Sequence, residues 1–112
     1  MLSWSSAETG EQLDLSAVAE GRAGVGLVHG DALLRFASAC GGTDDSELGA
    51  ARAALVAETD EAFMVDAAAV AANFEMMTRL ADGTGAAMPE ERLERSAFAI
   101  KTMGIEDLTS RR

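Results

Sequence analysis

The stretch from Asp60 to Gly85, DEAFMVDAAAVAANFEMMTRLADGTG, is the longest unbroken helical pattern in the chain. Phe63, Ala67, Val70, Phe74, Met77 and Ala81 recur at spacings of four, three, four, three and four. Residues spaced in this way share one face of an α-helix. The opposite line, Glu61, Ala68, Glu75 and Asp82, is polar except for one alanine. Alanines fill most of the flanks, so other backbones can approach on several sides. A helix that is apolar over most of its circumference is a core helix with neighbours wrapped around it. The pattern therefore predicts a central buried helix near residues 60–82. Thr59 or Asp60 supplies an oxygen-bearing N-cap, and Gly83 and Gly85 accept the left-handed conformation that closes a helix.

Around that helix the composition leaves room for one small domain. The chain has 112 residues, enough for a modest core and not for two. Alanine is abundant, proline occurs once and tyrosine not at all, a balance that favours helices over sheet. Nineteen acidic residues against 9 basic ones give a formal charge of −10. Such a chain repels phosphate backbones and anionic membrane surfaces, so no nucleic acid or membrane partner is expected. No segment reaches the roughly 18 uncharged apolar residues of a membrane span. The start, MLSWSSAETGEQ, lacks the basic and apolar runs of a signal peptide. A single cysteine rules out an intrachain disulfide and suits a reducing compartment, so the cytoplasm is expected.

Residues 1–13 read as a loosely ordered arm carrying Trp4, and residues 14–112 as one helical domain. Leu15, Val18 and Ala19 predict a short helix capped by Asp14 or Ser16. Gly21, Gly24 and Gly26 then interrupt, at a spacing that fits neither G-x-G-x-x-G nor a P-loop. Residues 31–40 predict a helix with Leu33, Phe36, Ala37 and Cys40 as its apolar stripe. A third helix runs from about Asp45 to Ala57, buried through Leu48, Ala51 and Leu55. Asp44 and Glu47 stand at capping-box spacing before it. After the long helix, Pro89 takes the first helical position and Glu90 and Glu91 favour the positive dipole end. Leu93, Ala97 and Ile100 form the inner stripe of this last helix, and Gly104 stops it. The fold class is thus all-α, a bundle of four to five helices.

The chain is poor in groups that do chemistry. Cys40 is the lone thiol, at a helix C-terminus where the dipole disfavours a thiolate, and its place in an apolar stripe reads as a small buried hydrophobe. His29 is the lone histidine, just before a helix; a capping or surface role is its simplest reading, and a general base with Cys40 as partner is the functional one. Neither residue belongs to a local motif. No metal site and no cofactor site are expected, because too few nitrogen and sulfur ligands exist in one chain. Asp66 and Asn73, two turns apart on the long helix, read as buried groups bonded to neighbouring helix ends, or else as a polar pocket lining. Glu75, Arg79 and Asp82 read as a surface ion-pair ladder. The methionines read as core or interface filler.

The segment NFEMMTRLADGTG, Asn73 to Gly85, resembles the late helix of the carboxymuconolactone decarboxylase family, which includes the alkylhydroperoxidase D-like proteins. GDALLRFA, Gly30 to Ala37, resembles the helix that opens the second half of such domains. The resemblance covers about residues 29–88. It implies an all-α fold that assembles into homo-oligomers, with Asn73, Arg79, Asp82 and Gly85 as scaffold positions. The family's peroxidase members carry a Cys-x-x-Cys with a nearby histidine and a glutamate in the first half of the domain. That motif is absent here, and Cys40 aligns with neither of its cysteines, so no catalytic residue carries over. What the resemblance implies is a non-redox helical domain acting as an oligomerising or partner-binding module, with a homo-oligomer expected and a protein partner possible. The alternative is an enzyme, either a one-cysteine peroxidase or a decarboxylase-like activity, using Cys40 and His29.

Overall fold

A computed structural model of the chain describes residues 13–106, and the expectations for Trp4, the N-terminal arm and the terminal Arg111-Arg112 lie outside those residues. Among the described residues five α-helices follow one another: α1 (Leu15–Glu20), α2 (Gly30–Cys40), α3 (Asp45–Glu58), α4 (Glu61–Thr84) and α5 (Glu90–Thr102). No strand occurs among the described residues, and the molecule is an all-α helical bundle.

Aspartates start three of the helices. Asp14 accepts hydrogen bonds from the Ser16 and Ala17 backbone N–H groups, Asp44 from those of Ser46 and Glu47, and Asp60 from that of Phe63. Each cap satisfies donors that the first helical turn cannot use. The capping box at α3 forms by half only. Asp44 caps, whereas the Glu47 carboxylate turns to Arg35 at 2.7 Å. Pro89 stands at the N-cap of α5, one residue earlier than its spacing suggests. Gly85 closes α4 in the left-handed region, φ 69°, with its N–H returned to the carbonyls of the last turn.

The core sits between α2 and α3. These two helices form a hairpin across the short connection of residues 41–44, and Phe36, Ala39, Ala51 and Leu55 are buried between them. Leu55 is fully enclosed. Leu48, Ala51 and Leu55 are therefore the inner stripe of α3, as their spacing predicts. On α2 the stripe is rotated by one residue. Ala39 is buried where Cys40 is expected, and both Ala37 and Cys40 are exposed. The physical reason is that Phe36 sets the face. The residue three positions on from it lies over α3, and the residue four positions on lies over the edge.

The long helix α4 is present with the expected caps, but none of its residues is buried. It docks on the α2–α3 hairpin through Met64, Ala67 and Ala68, all partly covered. That arc lies roughly a quarter turn around the helix from the line of Phe63, Val70, Phe74 and Met77, at about 100° per residue. The alanines make the contact because small side chains let two helix axes come close. The helix also outruns its support. Every residue from Ala72 to Leu80 is exposed. The helix is about 36 Å long, and its contacts with the hairpin core lie in its first third. The burial expected for residues 60–82 is not found: Met64, Ala67 and Ala68 are partly covered, and no residue of the helix is buried.

At the other end, α5 packs on α1. Leu93, Ser96, Ile100 and Met103 face inward at partial exposure, whereas Ala97, expected in that stripe, is exposed. Phe98 points to solvent on the opposite side.

Candidate functional site

His29 sits where three helix ends meet. It precedes α2 in the left-handed conformation, φ 57°, the only non-glycine among the described residues with positive φ. Its Nδ1 lies 2.8 Å from Glu58 Oε1 at the end of α3. A carboxylate can only accept, so Nδ1 carries the proton and donates. The imidazole edge meets the Phe63 ring of α4 at 73°, with centroids 5.7 Å apart. The side chain thus ties the start of α2, the end of α3 and the start of α4 into one corner. Its partner Glu58 was invisible to periodicity, because a residue 29 positions away becomes a neighbour only when the hairpin closes.

Cys40 lies at the far end of the same helix. Eleven residues of α2 separate the two by about 16 Å of helical rise. The structure therefore does not bring His29 and Cys40 together, and the thiol is exposed rather than held in an apolar stripe. Among the described residues no group of three or more histidine, cysteine, aspartate and glutamate side chains is placed to hold a metal ion.

Asp66 and Asn73 are exposed, so they neither line a pocket nor bond to buried helix ends. Asn73 Nδ2 approaches Met77 Sδ at 3.7 Å on the same helix. Arg79 donates to Glu75 at 2.8 Å, one rung of the expected ladder, with both side chains largely in water. Asn73, Arg79 and Asp82 are solvent-facing, and Gly85 is the helix cap.

A shallow depression of about 570 Å³ opens between the glycine loop and the α2–α3 turn. Two arginines reach its rim, and both are occupied. Arg22 is paired with Asp14 and Glu20, and Arg35 with Glu47. The Arg35 hydrogen bond holds the Glu47 carboxyl below its usual pKa. Asp31 is also committed, accepting from the Gly24 and Val25 backbone N–H groups at 2.9 and 3.2 Å. With its charges satisfied internally, the depression offers no spare group for an anion or cation.

The feature left without an internal explanation is the outer face of α4. Val70 is 56% exposed, Phe74 50% and Met77 53% along one line, Leu80 is 64% exposed beside it, and Val65 and Met76 are exposed on the far side of the helix. An isolated exposed leucine is ordinary; a line of such residues along one helix is not. Phe63, Val70, Phe74 and Met77 together with the flanking Leu80 offer on the order of 500 Å² of apolar surface, within the range of functional patches on monomers. No helix of the described residues is long and apolar enough to cross a membrane. No protein-family model, curated protein or solved structure matches the chain.

Proposed function

We propose that this protein is a helical association module, a non-redox scaffold of the alkylhydroperoxidase D-like kind that works by joining copies of itself or another protein through α4. One observation carries the reading: Val70, Phe74, Met77 and Leu80 of α4 are at least half exposed, while Met64, Ala67 and Ala68 alone of this helix rest on the core. Burying large side chains is worth about 1.5–3 kcal/mol each, so a helix that leaves several uncovered gains most from a second molecule. The charge of −10 argues against nucleic acid and anionic lipid as that molecule. Residence in the cytoplasm is part of the same proposal and rests on the single free cysteine. Light scattering at micromolar concentration tests the core of it. A mass of at least twice the 11.6 kDa of one chain is expected, and a strictly monomeric species that also captures no partner overturns the reading.

The contact between His29 and Glu58 favours a second reading, acid–base catalysis of a decarboxylase-like kind. A histidine whose Nδ1–H is oriented by a carboxylate has the arrangement a general base needs. The peroxidase form of the alternative would require Cys40 to act without His29, because α2 holds them apart. Turnover of hydroperoxide and of lactone or carboxylate substrates by the native protein, compared with His29→Ala and Cys40→Ser, tests both forms. Activity lost only in His29→Ala supports the acid–base reading; equal inactivity of three folded proteins removes it.

A further inference from the structure

We infer that the cover of the α4 face is α4 of a second copy, lying antiparallel across a two-fold axis that passes beside the middle of the helix. This rests on the association reading above and goes beyond it by naming the occupant and its direction.

The spacing of four, three, four, three and four from Phe63 to Ala81 is the repeat of a coiled-coil seam. What selects the direction is the order of sizes along it. Reversing one copy places Phe63 against Ala81, Ala67 against Met77 and Val70 against Phe74 of the second copy. Every layer then joins a larger to a smaller side chain, which is how facing layers fill space without voids. A parallel pair would stack Phe63 on Phe63, Phe74 on Phe74 and alanine on alanine, crowding two layers and leaving two hollow. Reversal also sets each helix C-terminus beside the other's N-terminus, where the two dipoles attract. The same patch serves both copies, the self-complementarity that a two-fold interface requires.

The geometry leaves room for this partner. The seam is centred about a quarter turn from the arc that rests on α2 and α3, with the partly covered Ala67 on the border of both, so a second helix can sit beside α4 without displacing the hairpin. The area suffices as well. Apolar surface of on the order of 500 Å² in an interface about 60% apolar corresponds to about 800 Å² per copy, the size of a stable complex. Asp66 flanks the seam and faces Leu80 of the second copy rather than its own equivalent, so reversal brings no pair of like charges together at the seam. Two chains of −10 still repel through solvent, and screening that repulsion strengthens the pair. A basic partner would show the opposite salt dependence.

The test attaches one spin label at a time in a Cys40→Ser background, at Glu61→Cys or at Asn73→Cys, and measures label separations in the intact chain. With 1.5 Å of rise per residue, antiparallel pairing offsets the Glu61→Cys labels by about 33 Å along the axis, to which the width of the pair adds, and leaves the Asn73→Cys labels within about 15 Å. Phe74→Glu should remain helical by circular dichroism and raise the dissociation constant by at least about tenfold. Higher salt should lower the dissociation constant of the native chain. Glu61→Cys labels clearly closer than about 33 Å, beside close Asn73→Cys labels, would mean a parallel pair, because only the width of two helices then separates them; that overturns this inference and leaves association standing. A dimer with distant Asn73→Cys labels would place the interface elsewhere, with the same consequence. A monomer at every salt concentration, binding only a different protein, overturns the second copy as occupant. A monomer that binds nothing overturns the association reading too.

Discussion

His29 Nδ1 and Glu58 Oε1, 29 residues apart in sequence, lie 2.8 Å from each other and close the corner where α2 begins and α3 ends. His29 holds this position at φ 57°, a conformation that costs a side-chain-bearing residue about 1–2 kcal/mol. The hydrogen bond and the edge contact with Phe63 offset that cost.

The strain and the bond can be separated by substitution. His29→Ala loses the bond and keeps the strain, whereas His29→Gly loses the bond and relieves the strain. His29→Gly should therefore be more stable than His29→Ala by about 1 kcal/mol in urea unfolding. Equal midpoints would mean that the backbone at this corner relaxes when the imidazole leaves.

Burial and exposure predict opposite outcomes on adjacent helices. Leu55 on α3 is fully enclosed, so Leu55→Ala should cost about 2–5 kcal/mol through lost transfer energy and a cavity. Phe74 on α4 is half exposed, so Phe74→Ala in a dissociated sample should cost far less than that. Unfolding at several protein concentrations checks the comparison. Convergence of native and Phe74→Ala curves on dilution is the expected result.

Two glycines of similar appearance should respond with opposite signs. Gly49 lies inside α3 with no atom within 4 Å of an added methyl group, so Gly49→Ala should stabilise by about 0.5–1 kcal/mol. Gly85 caps α4 at φ 69°, so Gly85→Ala should destabilise by about 1 kcal/mol despite equally open space. Thermal melting of the two variants reads both signs.

The exposed Cys40 thiol should react with a small disulfide reagent in the native state as readily as a cysteine in unfolded chain, within about tenfold. Labelling that waits for denaturant would place the thiol inside, in line with the stripe that its spacing to Leu33 and Phe36 suggests.

Asp14 and Glu47 give the fold a dependence on acid. The Ser16 hydroxyl, the Ala17 N–H and the Arg22 charge hold the Asp14 carboxyl below its ordinary pKa, and Arg35 does the same for Glu47. The unfolded chain therefore takes up these protons first as pH falls. Their contribution is complete above the ordinary carboxylate range and is lost as pH drops through the lowered folded values. The urea midpoint of the native chain should fall across that window, and Asp14→Asn should flatten the fall. An unchanged slope would mean that the Asp14 cap contributes nothing to the acid limb.

Local chemistry made the elements of this fold readable along the chain. Asp14, Asp44 and Asp60 cap the helices they precede, Gly85 ends α4, and the spacing of Leu48, Ala51 and Leu55 orients α3 correctly. These features depend on neighbours within about four residues, so the order of side chains carries them. Which apolar face is covered depends on what else the chain brings to it. Periodicity alone puts the large residues of α4 inside and Cys40 in the stripe of α2. Packing chose the alanine arc of α4 and Ala39 instead, because the α2–α3 hairpin offers a narrow surface that small side chains fit closely. The contact of His29 with Glu58 and the uncovered line from Phe63 to Met77 are the two results of that choice, and both arise only when distant segments meet.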